Sequence, residues 1–578
     1  MNHRLLPFLI TTALFLLPQA GFAAEADLIL HNGKIVTVDQ KFSVHQALAV
    51  QGKKILRVGS NEEVLKTKGE RTEVIDLQGK MVLPGLMDSH VHPTSAAMTE
   101  FDHPIPVMDS IKDVLEYIKT RTKALPEGQW IIVSQVFITR LQEQRYPTKQ
   151  ELDEVAPKHP VLYSTGPDAS LNTLALKLSK IDKDFKVSDG STGHAEKDSK
   201  TGELTGILRN CTRYVKSESN GRQATEADRI ERLLLLLRDY NSVGLTGIID
   251  RDASPSAIEQ YQKLLKNDKL PVRVRLSHSV GTGAGTETIQ KNILKVAAHP
   301  LCQGDEMLKI IGIKTYLDGG MLTGSAYMEE PWGVSKIYGI DDPKYRGLLF
   351  IPREKLLAIV QTTVDAGLQF TAHSVGDGAV STLLSVYEEI NQKTPVKKTR
   401  PSITHSNFMS KESVGKVAKL GVVLDIQPIW LYLDTRTLTA QFGYDRLRYF
   451  QPLKSIFESG GIAGGGSDHM QKVGSLRGVN PYNPFLGMWI AITRKAKQYE
   501  GQLHPEEALT REQALRFYTA NNAYLMFLED QVGTLEEGKL ADLIVVDRDL
   551  LTCPVDDIRE TKCLQTYLNG KLVYSAKR

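Results

Sequence analysis

Two histidines separated by one residue, His90 and His92, end the stretch Met81-Val82-Leu83-Pro84-Gly85-Leu86-Met87-Asp88-Ser89-His90-Val91-His92-Pro93. In a β-strand, residues i and i+2 project from the same face. The two imidazoles would therefore point together into whatever that face encloses. Inside a barrel they would meet at the end of the strand, as a divalent metal site requires. His-x-His also arises by chance among the chain's 14 histidines, so further chemistry must agree with it.

That agreement comes from the elements downstream. Alternating apolar runs and helical periodicity predict strands over Leu86–His92, Thr246–Asp250, Val272–His278, Ile310–Tyr316, Leu368–His373, Ser402–His405, Gly421–Ile426 and Gly461–Gly466. Helical stretches such as Arg229–Tyr240, Pro255–Lys266, Arg353–Ala366 and Ser410–Leu420 separate most of them. Eight strands interleaved with helices predict an α/β fold, a (β/α)8 TIM-like barrel, although an open doubly wound sheet would give a similar string. Barrel active sites form at the C-terminal ends of the strands. Read in order, those ends carry His90 and His92, Lys314, His373, His405 and, after Gly464-Gly465-Gly466-Ser467, Asp468.

The flanks have another character. Short alternating runs broken by Asn32-Gly33 and Gln51-Gly52 predict β structure over residues 24–83. Residues 531–578 look the same, with Ala541–Val546, Lys562–Leu568 and Lys571–Tyr574 around Asn569-Gly570. The two ends are expected to complete one small β-sandwich domain beside a barrel spanning 84–530. Residues 94–225 exceed any ordinary loop and contain their own strand and helix patterns, so an α/β insertion covering the barrel mouth is expected after strand 1.

Arg4, the apolar run from Leu5 to Leu17 and the small residues before Ala23-Ala24 read as a secretory signal peptide over residues 1–23. The run is short for a membrane span of about 20 residues. A secreted or periplasmic protein with no stable membrane insertion after cleavage is expected. Without Arg4 the 71 basic and 68 acidic residues become 70 and 68, a balance that predicts no nucleic-acid partner. A small-molecule substrate fits this composition, and a homodimer is compatible with it. Cys211, Cys302, Cys553 and Cys563 lack the spacing of a cysteine zinc site. Export would permit a bridge, with Cys553 and Cys563 the candidate pair.

Several pieces carry a family resemblance: Leu83 through His92, Ala372-His373-Ser374-Val375-Gly376-Asp377, Gly466-Ser467-Asp468, Asn483-Pro484-Phe485, and Val532-Gly533-Thr534-Leu535 through Asp542. Together they resemble the amidohydrolase superfamily, and within it the YtcJ-like metal-dependent amidohydrolases (amidohydrolase family 3), over nearly the whole chain after the leader. The resemblance implies that His90, His92 and Asp468 hold one metal and His373 and His405 another. Lys314, carboxylated by carbon dioxide to a carbamate, would bridge them. Its other reading is a charged lysine facing solvent or an anionic substrate group.

Imidazole and carboxylate donors suit zinc first, with manganese or iron as alternatives, as one or two ions. A bound cation lowers the pKa of water to about 7. Asp468 would take the water's proton and pass it to a leaving nitrogen, with His405 also at the catalytic centre. The expected activity is hydrolysis of a C–N bond, in an amide, N-acyl or N-formyl group. An esterase or isomerase on the same site is the alternative within the fold, and a non-catalytic periplasmic binding protein the alternative outside it.

Where many relatives carry a histidine in the insertion, this chain has Thr165-Gly166-Pro167-Asp168. Gly376-Asp377-Gly378 and Thr404 likewise replace the usual Gly-Asp-Arg and Glu. No predicted ligand is lost, but the substrate cannot be carried over from a relative. His278 at a strand end reads as structural, and His469 as a candidate pocket residue. Gly281-Thr282-Gly283-Ala284-Gly285 has the wrong spacing for a dinucleotide loop.

Overall fold

The computed structural model describes residues 25–189, 193–218 and 221–577. The predicted leader, residues 1–23, lies outside the described residues. Eight parallel strands form the central sheet: β1 (Leu86–Val91), β2 (Leu245–Ala253), β3 (Arg273–Ser279), β4 (Leu308–Tyr316), β5 (Gln369–Ser374), β6 (Ser402–His405), β7 (Val423–Ile426) and β8 (Ile462–Gly465). Each pairs in parallel with its neighbour in sequence, as successive β-helix-β units of a barrel do.

The ends of the sheet meet. Asp468 N–H donates to the His90 carbonyl at 2.8 Å, and His92 N–H to the His469 carbonyl at 2.8 Å. Closure brings Gly466 so near β1 that a Cβ there would lie 2.8 Å from Ser89 Oγ and 3.0 Å from the His90 nitrogen. A second close approach explains the Pro84-Gly85 turn. A Cβ at Gly85 would sit 2.2 Å from Thr246 Oγ1, where the chain passes from the flanking domain into the barrel.

Two sheets make the flanking domain. One holds Lys54–Gly59, Ala47–Gln51, Ala26–His31 and Lys68–Asp76. The other joins both chain ends: Lys571–Ser575, Cys563–Leu568 and Leu543–Val546 continue through Met81–Pro84 to Lys34–Val36 and Val44–His45. Leu28, Leu30, Leu48, Val82, Leu543 and Val545 pack between them. Arg273 at the start of β3 anchors the domain to the barrel. It donates two N–H bonds to Asp542, at 2.6 and 2.9 Å, with both side chains buried.

The insertion after β1 carries its own sheet, ordered His194–Lys197, Leu204–Arg209, Ala169–Leu171, Val161–Ser164 and Ile131–Ser134, with separate apolar cores on its two faces. Arg140 fastens it over the barrel by pairing with Asp434 at 3.0 and 2.8 Å.

The candidate Cys553–Cys563 bridge is absent, and Cys211, Cys302, Cys553 and Cys563 are free among the described residues. Cys563 faces the core and lies 3.2 Å from Thr566 Oγ1, whereas Cys553 sits in a loop against Arg511, so their side chains meet different neighbours. Among the described residues no helix is long and apolar enough to cross a membrane.

Candidate metal centre

His90, His92, Lys314, His373, His405 and Asp468 all line one cavity of about 560 Å³ at the C-terminal ends of the strands. His90 Nε2 and His92 Nε2 are 3.2 Å apart. Asp468 Oδ1 stands 3.4 Å from the first and 3.2 Å from the second. A tetrahedral ion with bonds of about 2.0–2.1 Å has ligand-to-ligand edges of about 3.3 Å. The three donors therefore already form one face of such a site.

Opposite this triad, the His405 ring stacks on His90 at 4.9 Å between centroids, and His373 meets His405 at 4.5 Å. Lys314 is buried, and its Nζ makes no hydrogen bond among the described residues. It lies 4.9 Å over the Tyr316 ring. Two of the six residues have left-handed backbones, His405 at φ +78° and Asp468 at φ +54°. Such conformations cost energy in residues with a Cβ, and they collect where function aims a side chain.

The electrostatics favour cation binding. Burial, then the charge of Lys314, holds the His90 pKa well below the usual range and lowers that of His373 to about 3. Burial and the neighbouring rings do the same to His405. Three rings are thus neutral at pH 7, with a lone pair to offer. His92 differs: burial would lower its pKa, but the hydrogen bond and charge of Asp468 outweigh that and raise it. Burial also raises Asp468 and lowers Lys314 toward its neutral form.

The remaining walls divide by chemistry. Phe137 from the insertion, Met321, Leu322, Val375 and Trp430 supply apolar surface. Asp250, Asp252 and Tyr316 supply polar surface, with the Tyr316 hydroxyl donating to Asp252 Oδ2 at 2.9 Å. The indole N–H of Trp430 and the side-chain N–H₂ of Asn407 are buried without a hydrogen-bond partner among the described residues.

His469 is not a pocket residue. It is fully buried behind Asp468, accepting from the Tyr240 hydroxyl at 2.8 Å and donating from Nε2 toward the Gln471 and Lys472 carbonyls. His278 turns back onto the Ser279 carbonyl and lies outside the cavity lining. Sequence reasoning passed over Asp425 and Gln427 at the end of β7. They repeat the i, i+2 spacing of His90 and His92, a signal that could have revealed them. Thr404 gives its hydroxyl to Asp425 at 3.2 Å.

A closed parallel barrel with histidine and carboxylate donors at its strand ends, flanked by a sandwich, defines a metal-dependent hydrolase. Residues 73–574 match the model of the Amidohydrolase family, and the chain belongs to that family. With it comes the class of reaction, hydrolysis of carbon–nitrogen bonds other than peptide bonds. The chain is 28% identical to an N-substituted formamide deformylase of Arthrobacter pascens, over 95% of this chain and 98% of that one. It is 25% identical to the putative amidohydrolase YtcJ of Bacillus subtilis, over 94% and 99%. A solved metal-dependent hydrolase of Pyrococcus horikoshii superposes with a TM-score of 0.66 at 23% identity, covering 92% of this chain and 99% of the other.

Proposed function

We propose that this protein is an exported hydrolase of an N-formyl or N-acyl amide in a small molecule. The supporting observation is the donor triangle of His90, His92 and Asp468, which opens on a cavity also lined by Lys314, His373 and His405. These residues would hold one divalent cation on the triad and a second on His373 and His405, zinc being favoured by the donor types. A cation so bound supplies Lewis acidity toward the acyl oxygen and toward water.

The chain's own groups do the rest. Lys314, made more readily neutral by burial, has the free amine that adds to carbon dioxide and loses a proton, giving a carbamate between the two histidine groups. Asp468 would take the proton of the attacking water and deliver it to the leaving nitrogen. The unpaired N–H groups of Trp430 and Asn407 suit acceptor oxygens of a substrate, because an unpaired buried donor costs about 1–3 kcal/mol. Phe137, Met321 and Leu322 would exclude bulk water.

The relative active on N-substituted formamides makes N-formyl amides the first substrates to assay. The test joins metal analysis of purified protein to a panel of N-formyl, N-acyl and cyclic amides and simple esters. Stoichiometric zinc is expected, with amide turnover lost on chelation and restored by zinc. Turnover that survives complete chelation excludes this mechanism. Faster ester than amide turnover would favour the esterase alternative, and protein purified without metal or turnover the binding-protein one. Export rests on residues 1–23 and predicts a mature N-terminus at Ala24; an intact Met1 on the protein recovered outside the cytoplasm contradicts it.

A further inference from the structure

We propose that Asp425 and Gln427 are positioning residues that set the ring tautomers of His90 and His405, with buried Arg251 holding them in place. This rests on the reading that the site takes a cation. Like β2 and β3, β7 ends without a donor of the predicted set. Its two polar side chains, on one face, instead reach behind the histidines. His90 Nδ1 lies 3.2 Å from Asp425 Oδ1, and His405 Nδ1 lies 2.8 Å from Gln427 Oε1.

The direction of each bond follows from the partners. Gln427 Nε2 donates to Asp425 Oδ1 at 2.8 Å and to the Asp425 carbonyl at 2.9 Å, which identifies Oε1 as the oxygen facing His405. His405 Nδ1 must then carry the proton. Gln427 Nε2 also approaches His90 Nδ1, at 3.4 Å, but its two hydrogens are committed to the shorter bonds. Asp425 therefore decides the His90 tautomer. Both its oxygens already accept, Oδ1 from Gln427 Nε2 and Oδ2 from Arg251 Nε and the Thr404 hydroxyl, so His90 Nδ1 donates and Nε2 keeps its lone pair. That Nε2 is the atom facing His92 and Asp468.

Arg251 holds the Asp425 side chain in place from the other oxygen. Both side chains are wholly buried, with Nε 2.8 Å from Asp425 Oδ2. The guanidinium is braced by the Ser89 carbonyl at 3.1 Å and by Gln369 Oε1 at 2.7 Å. One residue of β2 thus ties β1, β5 and β7 together beneath the site. Were either ring free to take the other tautomer, an N–H would face the cation. Losing such an outer partner typically weakens metal binding about 10- to 100-fold.

The experiment compares zinc affinity, by competition with a chromophoric chelator, in the parent, Gln427→Met and Gln451→Met. Gln451 is equally buried and donates to the Gln427 main-chain carbonyl without touching a histidine, so it controls for loosened packing. Gln427→Met is expected to bind about 10- to 100-fold more weakly and Gln451→Met like the parent. Parental affinity in Gln427→Met, or equal weakening in both variants, overturns the inference. Independently of any variant, ¹⁵N-histidine spectra of the zinc-loaded parent should show Nδ1–H on both His90 and His405, and Nε2–H on either ring sinks the idea. A parent that binds no zinc contradicts the proposed function instead.

Discussion

Asn480 donates from Nδ2 to the Asp468 carbonyl at 2.9 Å and stands 3.4 Å from its Oδ2. Its own Oδ1 accepts from Arg140 of the insertion at 3.1 Å. A residue some 340 positions earlier thereby helps hold the left-handed backbone that aims the acid. Asn480→Ala is expected to lower kcat about 10- to 100-fold, as small misplacements of reacting groups do, while zinc stoichiometry stays unchanged. Steady-state kinetics with metal analysis decides it; kcat within twofold of the parent removes Asn480 from the machinery.

Asp468 itself is the sharper test. Asp468→Asn keeps size and shape but cannot accept the water's proton. Turnover should fall by about 100- to 10,000-fold, the usual contribution of a positioned acid or base. A variant that holds stoichiometric metal and retains a tenth of the parent rate rejects the role.

Stability should depend on the Arg273–Asp542 pair. Removing one member leaves a buried charge unpaired, at a cost of about 3–5 kcal/mol. Asp542 also accepts the Asn569 N–H at 2.9 Å, so Asp542→Ala should loosen the sandwich from the barrel. Urea unfolding of the variant is the measurement; a loss below about 1 kcal/mol would mean that water enters to solvate Arg273.

The insertion carries a pH signature. Arg145 donates to both oxygens of Glu151, at 2.8 and 2.7 Å, and the Thr148 N–H adds a third bond at 2.7 Å. Led by Arg145, these bonds lower the Glu151 pKa from 4.5 to about 2. A depressed folded-state pKa stabilises fully above the unfolded value and progressively less as pH falls toward the folded one. Glu151→Gln keeps the helix cap and loses the charge. The gap between parent and variant in urea midpoint should be widest near neutrality and narrow as pH drops below about 4.5. A gap independent of pH would show that the charge contributes nothing.

Much of this protein could be read from its residues in order, because local periodicity is a property of neighbours. All eight predicted barrel strands fall on observed ones; Ser402–His405 coincides, and Gly421–Ile426 shortens to Val423–Ile426. The donors appeared at strand ends because the i, i+2 rule and the barrel's polarity need no long-range information. Tertiary structure decided whatever depends on a partner distant in sequence. Met81–Pro84 pairs with Leu543–Val546 only once the barrel has brought the chain ends together. Arg251 meets Asp425 across the barrel interior, where neither side chain can reach water. His469, one residue past the acid, turns away from the cavity to Tyr240, a partner 229 positions distant. The His90 ring likewise meets Asp425, 335 positions away, a relation that closure of the sheet creates and no local pattern encodes.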